Sequence, residues 1–188
     1  MKQPHVEKIL NHFGVTPVRD AFATPQNTRF AKWWGEGSPE GEDAFKQDWG
    51  QGLLWMNPPF NVFLQVLDKI RGEGTHVILV VPVWRRRKFT RQALEMALDQ
   101  YVFPKGTLLF ERKGKAMKGT AWEVRALLIC GHHPRCELGD MGTHREGGDR
   151  MTQLPKPSWK EVRLTEEEPP PLYSINSLFY PFQATPEC

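Results

Sequence analysis

Residues 53–60 read Leu-Leu-Trp-Met-Asn-Pro-Pro-Phe, an apolar run that stops at two prolines. Four apolar residues before such a breaker are typical of a short buried strand. Apolar residues at helical spacing follow over 63–70, with Asn61 as the expected N-cap and Gly72 as the expected stop. A second apolar run over 76–82 predicts a strand buried on both faces of a parallel sheet. A strand, a helix and a second strand therefore stand at the centre of the predicted fold.

The flanking segments continue this alternation. An apolar stripe over 6–13 that ends at Gly14 predicts a helix, and residues 16–23 predict a strand that leads into a loop. Further elements are predicted in chain order: a short strand over 43–45, a helix over about 90–99, and strands over 101–103, 107–111 and 122–130. Strands that alternate with helices indicate a three-layer α/β fold with a mostly parallel sheet.

The composition of the chain changes after residue 130. Five glycines fall in 131–150, seven of the sixteen prolines fall in 151–188, and residues 166–171 read Glu-Glu-Glu-Pro-Pro-Pro. A triple proline fits neither the interior of a helix nor a central strand. We therefore predict one domain over residues 1–130 and an extension over 131–188 that packs on the domain or is partly disordered.

Composition excludes several classes of protein. With 188 residues, 39% hydrophobic and 11% aromatic, the chain can bury a core and is not disordered throughout. No apolar run approaches the roughly 20 residues that span a bilayer, and the start lacks the apolar stretch of a secretory signal. Three cysteines are an odd count, which disfavours a disulfide framework. These features predict an intracellular protein, nuclear or cytoplasmic, without a membrane partner.

Positive charge is concentrated in one middle segment. Residues 85–125 carry eleven Lys and Arg against four Asp and Glu, a net charge of +7, whereas residues 1–84 carry −1 and residues 126–188 carry −3. A basic segment of this kind predicts a polyanionic partner, with nucleic acid as the first candidate. A solvated basic surface without a partner is the alternative.

Three polar or aromatic stretches follow predicted strands. Asp20 ends the first strand, residues 57–60 end another, and residues 82–85 end the strand over 76–82. In open parallel sheets, ligands bind beyond the carboxyl ends of the strands. All three stretches are therefore expected at one edge of the sheet, although Asn-Pro and Pro-Pro are also ordinary strand-ending turns.

Four stretches in this order carry a resemblance to known enzymes. They are Asp-Ala-Phe-Ala-Thr-Pro-Gln-Asn over 20–27, Asp-Trp over 48–49, Asn-Pro-Pro-Phe over 57–60 and Val-Val-Pro-Val-Trp-Arg over 80–85. The set resembles the phage-type Dam family of adenine-N6 methyltransferases and the eukaryotic cap-specific adenosine-N6 methyltransferase, and methyltransferase-like domains of some retroelement polyproteins look similar. It covers roughly residues 16–130. The resemblance implies a Rossmann-like enzyme that uses S-adenosylmethionine to methylate the N6 amine of adenine in nucleic acid, with DNA slightly favoured and RNA open.

The chemistry of that reaction explains the residue types in the motif. The N6 lone pair is delocalised into the ring of adenine, so the amine is a poor nucleophile. The side-chain oxygen of Asn57 and a backbone carbonyl from Pro58 or Pro59 accept hydrogen bonds from the two N–H groups of this amine, which frees the lone pair for the methyl group. The ring of Phe60 stacks on a base that has left its helix. The resemblance thus makes Asn57, Pro58, Pro59 and Phe60 the catalytic residues.

The resemblance also implies two sets of binding residues. Those at the methyl donor are Asp20, Ala21, Phe22, Asn27, Asp48 and Trp49. Those at the nucleic acid are Trp84, Arg85, Arg86, Arg87, Lys88 and Lys105. The alternatives are that Asp20 and Asp48 are only loop caps and that Trp84 is a core residue with solvated neighbours. The chain lacks the Gly-rich donor loop of most S-adenosylmethionine enzymes, as do these two families, so the group that holds the donor's carboxylate is not identified.

Five potential metal ligands lie close together in the sequence: Cys130, His132, His133, Cys136 and His144. Both residue types bind Zn²⁺, but the spacing between the two cysteines matches none of the usual short zinc knuckles. We therefore predict no metal site.

A second function stays open at this point. A catalytically silent methyltransferase-like module, for example in a retroelement polyprotein, would bind nucleic acid without modifying it. An accidental Asn-Pro-Pro-Phe in a generic α/β protein is a third interpretation. Because the fold uses about 130 residues, target recognition would fall to the basic segment, the extension or a protein partner, and sequence context, strandedness and oligomeric state are left open.

Overall fold

The computed structural model describes residues 1–112 and 115–131, without the side chains of Arg112, Lys115 and Ala116. Apart from Gly131, the predicted extension over 131–188 lies outside the described residues.

Three α-helices and seven strands form within this part of the chain. In chain order they are α1 (Gln3–Phe13), β1 (Arg19–Asp20), β2 (Leu54–Met56), α2 (Phe63–Glu73), β3 (His76–Pro82), α3 (Lys88–Met96), β4 (Ala97–Phe103), β5 (Glu111–Arg112), β6 (Lys115–Ala116) and β7 (Val124–Cys130). Short 3₁₀ helices cover Ala44–Lys46 and Phe60–Val62.

A five-stranded sheet in the order β1-β2-β3-β7-β4 forms the centre of the fold. Strands β1, β2 and β3 pair in parallel, and β7 is antiparallel to both β3 and β4. Strand β4 therefore runs in the same direction as β3, and the carboxyl ends of β1 to β4 lie at one edge, which we call the carboxyl edge. The mostly parallel α/β sheet predicted from the sequence is confirmed, and it is compatible with a Rossmann-like fold.

The core lies around the middle strands. All seven residues of β7 and six of the seven in β3 are buried, so both faces of these strands are covered, as the apolar run over 76–82 predicts. Helices α2 and α3 pack against each other, α3 packs against β3 and β7, and α1 packs against β4. Burial of the apolar face of α2, rather than capping, stabilises this helix, because no side chain caps its N-terminus at Val62.

Several predicted boundaries are wrong for local reasons. Residues 43–45 form a 3₁₀ turn instead of a strand, because the Asp43 carboxylate accepts a hydrogen bond from the Phe45 N–H at 2.9 Å. Asn61 lies inside the 3₁₀ turn that precedes α2, and the helix runs past Gly72 to end at Gly74, which adopts φ 66°. Residues 107–110 are not a strand, because Thr107 closes a turn onto the Pro104 carbonyl.

The connection over residues 21–53 carries no α-helix and is tied to β1 by its own backbone. The Asp20 N–H donates to Lys32 O at 3.0 Å, the Trp34 N–H to Asp20 O at 2.9 Å, and the Ala23 N–H to Trp34 O at 3.0 Å. At Gly35 the chain has φ 148°, and a Cβ atom there would lie 1.8 Å from the Ala23 carbonyl oxygen. Only glycine fits at this close approach, which fixes the loop that follows Asp20.

Gly35→Ala should lower the free energy of unfolding by about 2–4 kcal/mol, because the added methyl group overlaps backbone. Gly72→Ala is the matched control: nothing lies within 4 Å of its Cβ position, and alanine in a helix interior should raise stability by up to about 1 kcal/mol. Urea unfolding followed by circular dichroism measures both. Equal stabilities for the two variants would contradict the loop geometry.

Candidate active site at the carboxyl edge of the sheet

Asn57 stands directly beyond β2, where Met56 pairs with Leu79 of β3. Its side chain is half-buried, and within residues 1–112 and 115–131 it has no hydrogen-bond partner. Pro58 and Pro59 are buried, and Pro59 has φ −56° and ψ 146°, so the chain leaves the strand extended. The Pro59 carbonyl accepts the Val62 N–H at 3.2 Å, which starts the 3₁₀ turn.

Phe60 joins the motif to an aromatic cluster. Its ring centroid lies 4.8 Å from that of Trp84 and 6.0 Å from that of Phe63, and Trp84 lies 5.2 Å from Trp122. The structure thus brings the Asn-Pro-Pro-Phe stretch and the Trp84 stretch together. Trp84 is only 2% exposed, so it is part of the core and not an open wall of a pocket.

The two tryptophans of this cluster each bury an indole N–H without a partner. Nε1 of Trp84 and Nε1 of Trp122 are both inaccessible to solvent and make no hydrogen bond. Leaving a buried donor unsatisfied costs about 1–3 kcal/mol, so these groups are candidates for ligand contacts. Trp122 lies at the carboxyl edge because Val124 pairs with Pro82. Sequence reasoning missed it, since no motif includes it.

Asp20 is the most perturbed carboxyl group of the site. It ends β1 and is 3% exposed. Burial raises the pKa of Asp20 from 3.8 to about 7. The backbone N–H groups of Phe22 and Arg29 face the carboxylate and act in the opposite direction, because they favour its charged form. The Phe22 N–H lies 3.4 Å from Oδ1. A buried carboxyl of this kind beyond a parallel strand is a functional-site candidate.

The neighbours of Asp20 in the sequence have mainly structural contacts. Ala21 is buried, and its N–H donates to Trp55 O at 2.9 Å. The Asn27 side-chain oxygen accepts from the Thr24 N–H at 2.7 Å and closes a turn. Asn27, which is predicted to bind the methyl donor, therefore keeps only its side-chain NH₂ group for a ligand.

The loop over 48–49 reaches the Asp20 region through aromatic contacts. The Trp49 ring centroid lies 6.2 Å from that of Phe22, and Trp49 Nε1 donates to Ala44 O at 2.7 Å. Asp48 is exposed, and its Oδ1 accepts from the Gly50 N–H at 2.8 Å. Phe22 and Trp49, both predicted to bind the methyl donor, are in contact. Asp48 caps its own loop through Oδ1, and its second carboxylate oxygen accepts no hydrogen bond from the described residues.

Arg29 is a residue of the site that the sequence analysis missed. Its side chain is 18% exposed and donates through one terminal nitrogen to Glu111 at 2.8 Å. Its Nε is buried without a partner. The only sequence signal was its position two residues after the stretch over 20–27.

The basic residues predicted to contact nucleic acid follow β3 and β4 at the carboxyl edge. Arg85, Arg86 and Lys88 are exposed, and Arg87 is half-buried at the start of α3. Lys105 is exposed in the turn after β4. The edge therefore presents cations beside the aromatic cluster.

A groove of about 540 Å³ lies at a different place, between the end of α1 and the segment before β1. Its lining residues are Glu7, Leu10, Asn11, Gly14, Val15 and Thr16. It lies toward the amino end of β1 and contains none of the predicted site residues, so we place the site at the carboxyl edge.

Within the described residues, no three His, Cys, Asp or Glu side chains are grouped so that they could hold a metal ion. Cys130 Sγ lies 3.4 Å from His76 Nε2, and the other candidate ligands, His132, His133, Cys136 and His144, lie outside the described residues. No helix in this part of the chain is both long enough and apolar enough to cross a bilayer.

No protein-family model matches the chain, and a search of curated proteins finds no match. Function is therefore inferred from the site and from the sequence motifs.

Asp20→Asn should stabilise the protein at about pH 8 and not at about pH 4. The raised pKa means that the folded state keeps the proton after the unfolded state has lost it, so stability falls as pH rises from about 4 to about 7. Asparagine does not ionise, and its advantage at about pH 8 should reach up to about 4 kcal/mol. Urea unfolding across this pH range measures it. An advantage that does not change with pH would contradict the buried, raised carboxyl group.

Proposed function

We propose that the protein is an S-adenosylmethionine-dependent methyltransferase that modifies the N6 amine of adenine in nucleic acid. The observation that carries the proposal is the half-buried Asn57 side chain, unpartnered among the described residues, beyond a central parallel strand. Beside it, the ring centroid of Phe60 lies 4.8 Å from that of Trp84. An amide acceptor next to aromatic rings suits a flat base with an exocyclic amine.

The contacts of the motif indicate which atoms would accept hydrogen bonds from the two N–H groups of the adenine amine. The Pro59 carbonyl is already bound by the Val62 N–H. The Pro58 carbonyl receives no hydrogen bond from the described residues. It is therefore the backbone acceptor for one N–H group of the amine, and Asn57 Oδ1 accepts from the other. With both N–H bonds engaged, the nitrogen lone pair is free to form the N–C bond to the methyl group, and one amine proton is released. Rigid prolines keep the acceptors in place without reorganisation.

The residues around Asp20 fit the methyl donor. A buried carboxyl group and the orphaned Arg29 Nε offer charges of opposite sign at the end of β1. Asp20, Ala21, Phe22, Asn27, Asp48 and Trp49 are the residues that would hold S-adenosylmethionine. When bound, the donor supplies an electrophilic methyl group on a sulfonium and leaves as a thioether. The protein's part is to orient the amine and exclude water.

The charge of the carboxyl edge supports a nucleic-acid substrate. Residues 85–125 carry a net +7, and Arg85, Arg86, Lys88 and Lys105 of this segment are exposed at the edge that carries Asn57. Phosphate contacts there would position the strand, and the motif would select the base. The resemblance to the phage-type Dam family slightly favours DNA over RNA.

A silent nucleic-acid-binding module of the same fold is the second candidate. The observation that favours it is the 2% exposure of Trp84, because a base can stack there only if the aromatic cluster opens. Such a module would bind nucleic acid through the same cations and transfer no methyl group.

Asn57→Ala should reduce methyl transfer about 10²–10³-fold, because one positioned acceptor is lost at the transition state. Donor affinity and stability should stay close to wild type. Asn61→Ala is the matched control, since Asn61 is exposed four residues further on and should keep full activity. The assay follows labelled methyl groups from S-adenosylmethionine into adenine-containing DNA and RNA.

Wild-type turnover in Asn57→Ala would contradict the assignment of the motif. Binding of DNA or RNA by the wild-type protein without any transfer would favour the silent module instead.

Neutralising Arg85, Arg86 and Lys88 to Gln should weaken nucleic-acid binding and flatten its salt dependence. The slope of log K against log salt should fall by about 0.7–0.9 for each lost phosphate contact. Arg91→Gln is the control, because Arg91 is 74% exposed on α3 and lies 3.9 Å from Glu95. Fluorescence anisotropy with a labelled oligonucleotide measures both. Equal slopes in the two variants would mean that residues 85–88 are only a solvated surface.

A further inference from the structure

The indole N–H of Trp122 is a buried donor without a use inside the described part of the chain. Trp122 is 8% exposed, and its Nε1 atom is closed to solvent and donates to no described acceptor. This N–H is the only polar group of a tryptophan side chain, and it usually finds a partner when it is buried. Thr120, two residues earlier, likewise buries its Oγ1 atom without a described partner. Both orphaned groups lie in the segment that leads into β7 at the carboxyl edge.

The backbone holds this segment on both sides of Trp122. The Thr120 carbonyl accepts a hydrogen bond from the Gly106 N–H at 2.8 Å, in the turn that follows β4. The Glu123 carbonyl accepts from the Val83 N–H at 2.9 Å, beyond the end of β3. Because both flanks are fixed, the unpartnered Nε1 atom belongs to a packed segment and not to a loose loop.

Ring contacts connect Trp122 to the Asn-Pro-Pro-Phe stretch. The Trp122 ring centroid lies 5.2 Å from that of Trp84, with the two planes at 76°, and the Trp84 centroid lies 4.8 Å from that of Phe60. Phe60 stands three residues after Asn57. Within this row of three rings, Phe60 and Trp122 are the more exposed, at 8% each against 2% for Trp84. Trp122 therefore lies on the outer side of Trp84, in the same aromatic cluster as the motif.

The edge of adenine that carries the amine needs a donor as well as acceptors. In the proposed site, Asn57 Oδ1 and the Pro58 carbonyl accept from the N6 amine. The ring nitrogens N1 and N7 flank that amine and can only accept, so neither of these two oxygens can bind them. Enzymes that act on a flipped base read it through hydrogen bonds to its edge, and an indole N–H is a donor only.

We propose that Trp122 is a specificity-determining residue, whose Nε1 donates a hydrogen bond to the ring nitrogen, N1 or N7, beside the amine of the target adenine. The inference rests on the proposed function. To reach Nε1, the base displaces part of the aromatic cluster, where Phe60 and Trp122 are the more exposed rings. Binding then gives the buried donor an acceptor away from water, which relieves the unfavourable free energy of the orphaned N–H.

The test compares methyl transfer by the full chain to three single-stranded DNA oligonucleotides that differ only at one target base. The base is adenine, 1-deazaadenine or 7-deazaadenine, and each analogue replaces one ring nitrogen by C–H. Trp122→Phe keeps an aromatic ring and removes the N–H. It should lower kcat/KM on adenine roughly 10-fold, the usual effect of losing one neutral hydrogen bond. On the analogue that lacks the contacted nitrogen, Trp122→Phe should cause no further loss.

The comparison of protein and base changes in pairs removes a second effect. A deaza ring also alters the reactivity of the amine, but it does so equally for the wild-type protein and for Trp122→Phe. Only a direct contact between the N–H and the missing nitrogen makes the two changes non-additive.

Trp34→Phe is the matched control. Trp34 is also a buried tryptophan, at 2% exposure, and the Arg19 guanidinium lies 4.5 Å from its ring centroid in the connection that follows β1. Its indole N–H has no role at the base in this account. Any loss of rate in Trp34→Phe should therefore be the same factor on all three oligonucleotides.

The outcomes separate the inference from the proposed function. Loss of coupling on 1-deazaadenine would identify N1 as the acceptor, and on 7-deazaadenine N7; either result supports the inference. Equal losses on all three oligonucleotides, or an unchanged rate on adenine, would show that Trp122 only packs the core, and the proposed function would stand. A wild-type protein that transfers no methyl group to adenine would overturn both.

If Trp122→Phe does not fold, the affinity of the wild-type protein for the three oligonucleotides decides, measured by fluorescence anisotropy. Binding roughly 10-fold weaker to one deaza analogue than to adenine would support the contact. Equal affinities for all three would overturn it.

Discussion

The parallel pairing of β1, β2 and β3 is the constraint on which the rest of the structure depends. Its register places Asp20 beside Trp55, and Trp55 beside Ile78. Because the three strands run in one direction, residues far apart in the sequence leave the sheet at the same edge. Asp20, Asn57 and the Trp84 segment lie at that edge for that reason. The apolar residues of β3 and β7, buried on both faces, supply the core that fixes this register.

The carboxyl edge collects groups that do not favour folding. Asp20 is a buried acid with a pKa of about 7, and Arg29 Nε and the indole nitrogens of Trp84 and Trp122 are buried without partners. A protein selected only for stability would replace such groups by apolar residues of similar shape. Their presence at one edge is the physical reason to regard it as a binding site, although orphaned atoms such as Thr75 Oγ1 also occur elsewhere.

Sequence patterns predicted what depends on burial and missed what depends on local geometry. The apolar run over 76–82 gave the bounds of β3 correctly, and the stripe over 6–13 ended at Gly14 as expected, because that glycine adopts φ 65°. The strand expected over 43–45 failed, since one Asp43 hydrogen bond decides the conformation of three residues. Arg29 and Trp122 could not be predicted as site residues, because their roles come from contacts with Glu111 and Trp84 that are distant in the sequence.

Hydrogen exchange of the full chain with and without S-adenosylmethionine tests most directly whether the carboxyl edge is the ligand site. We expect the donor to slow amide exchange over residues 20–29 and 54–60. Exchange should not change around the groove between Glu7 and Thr16, at the other end of β1. Protection at that groove, or no protection at the carboxyl edge at saturating donor, would contradict the account.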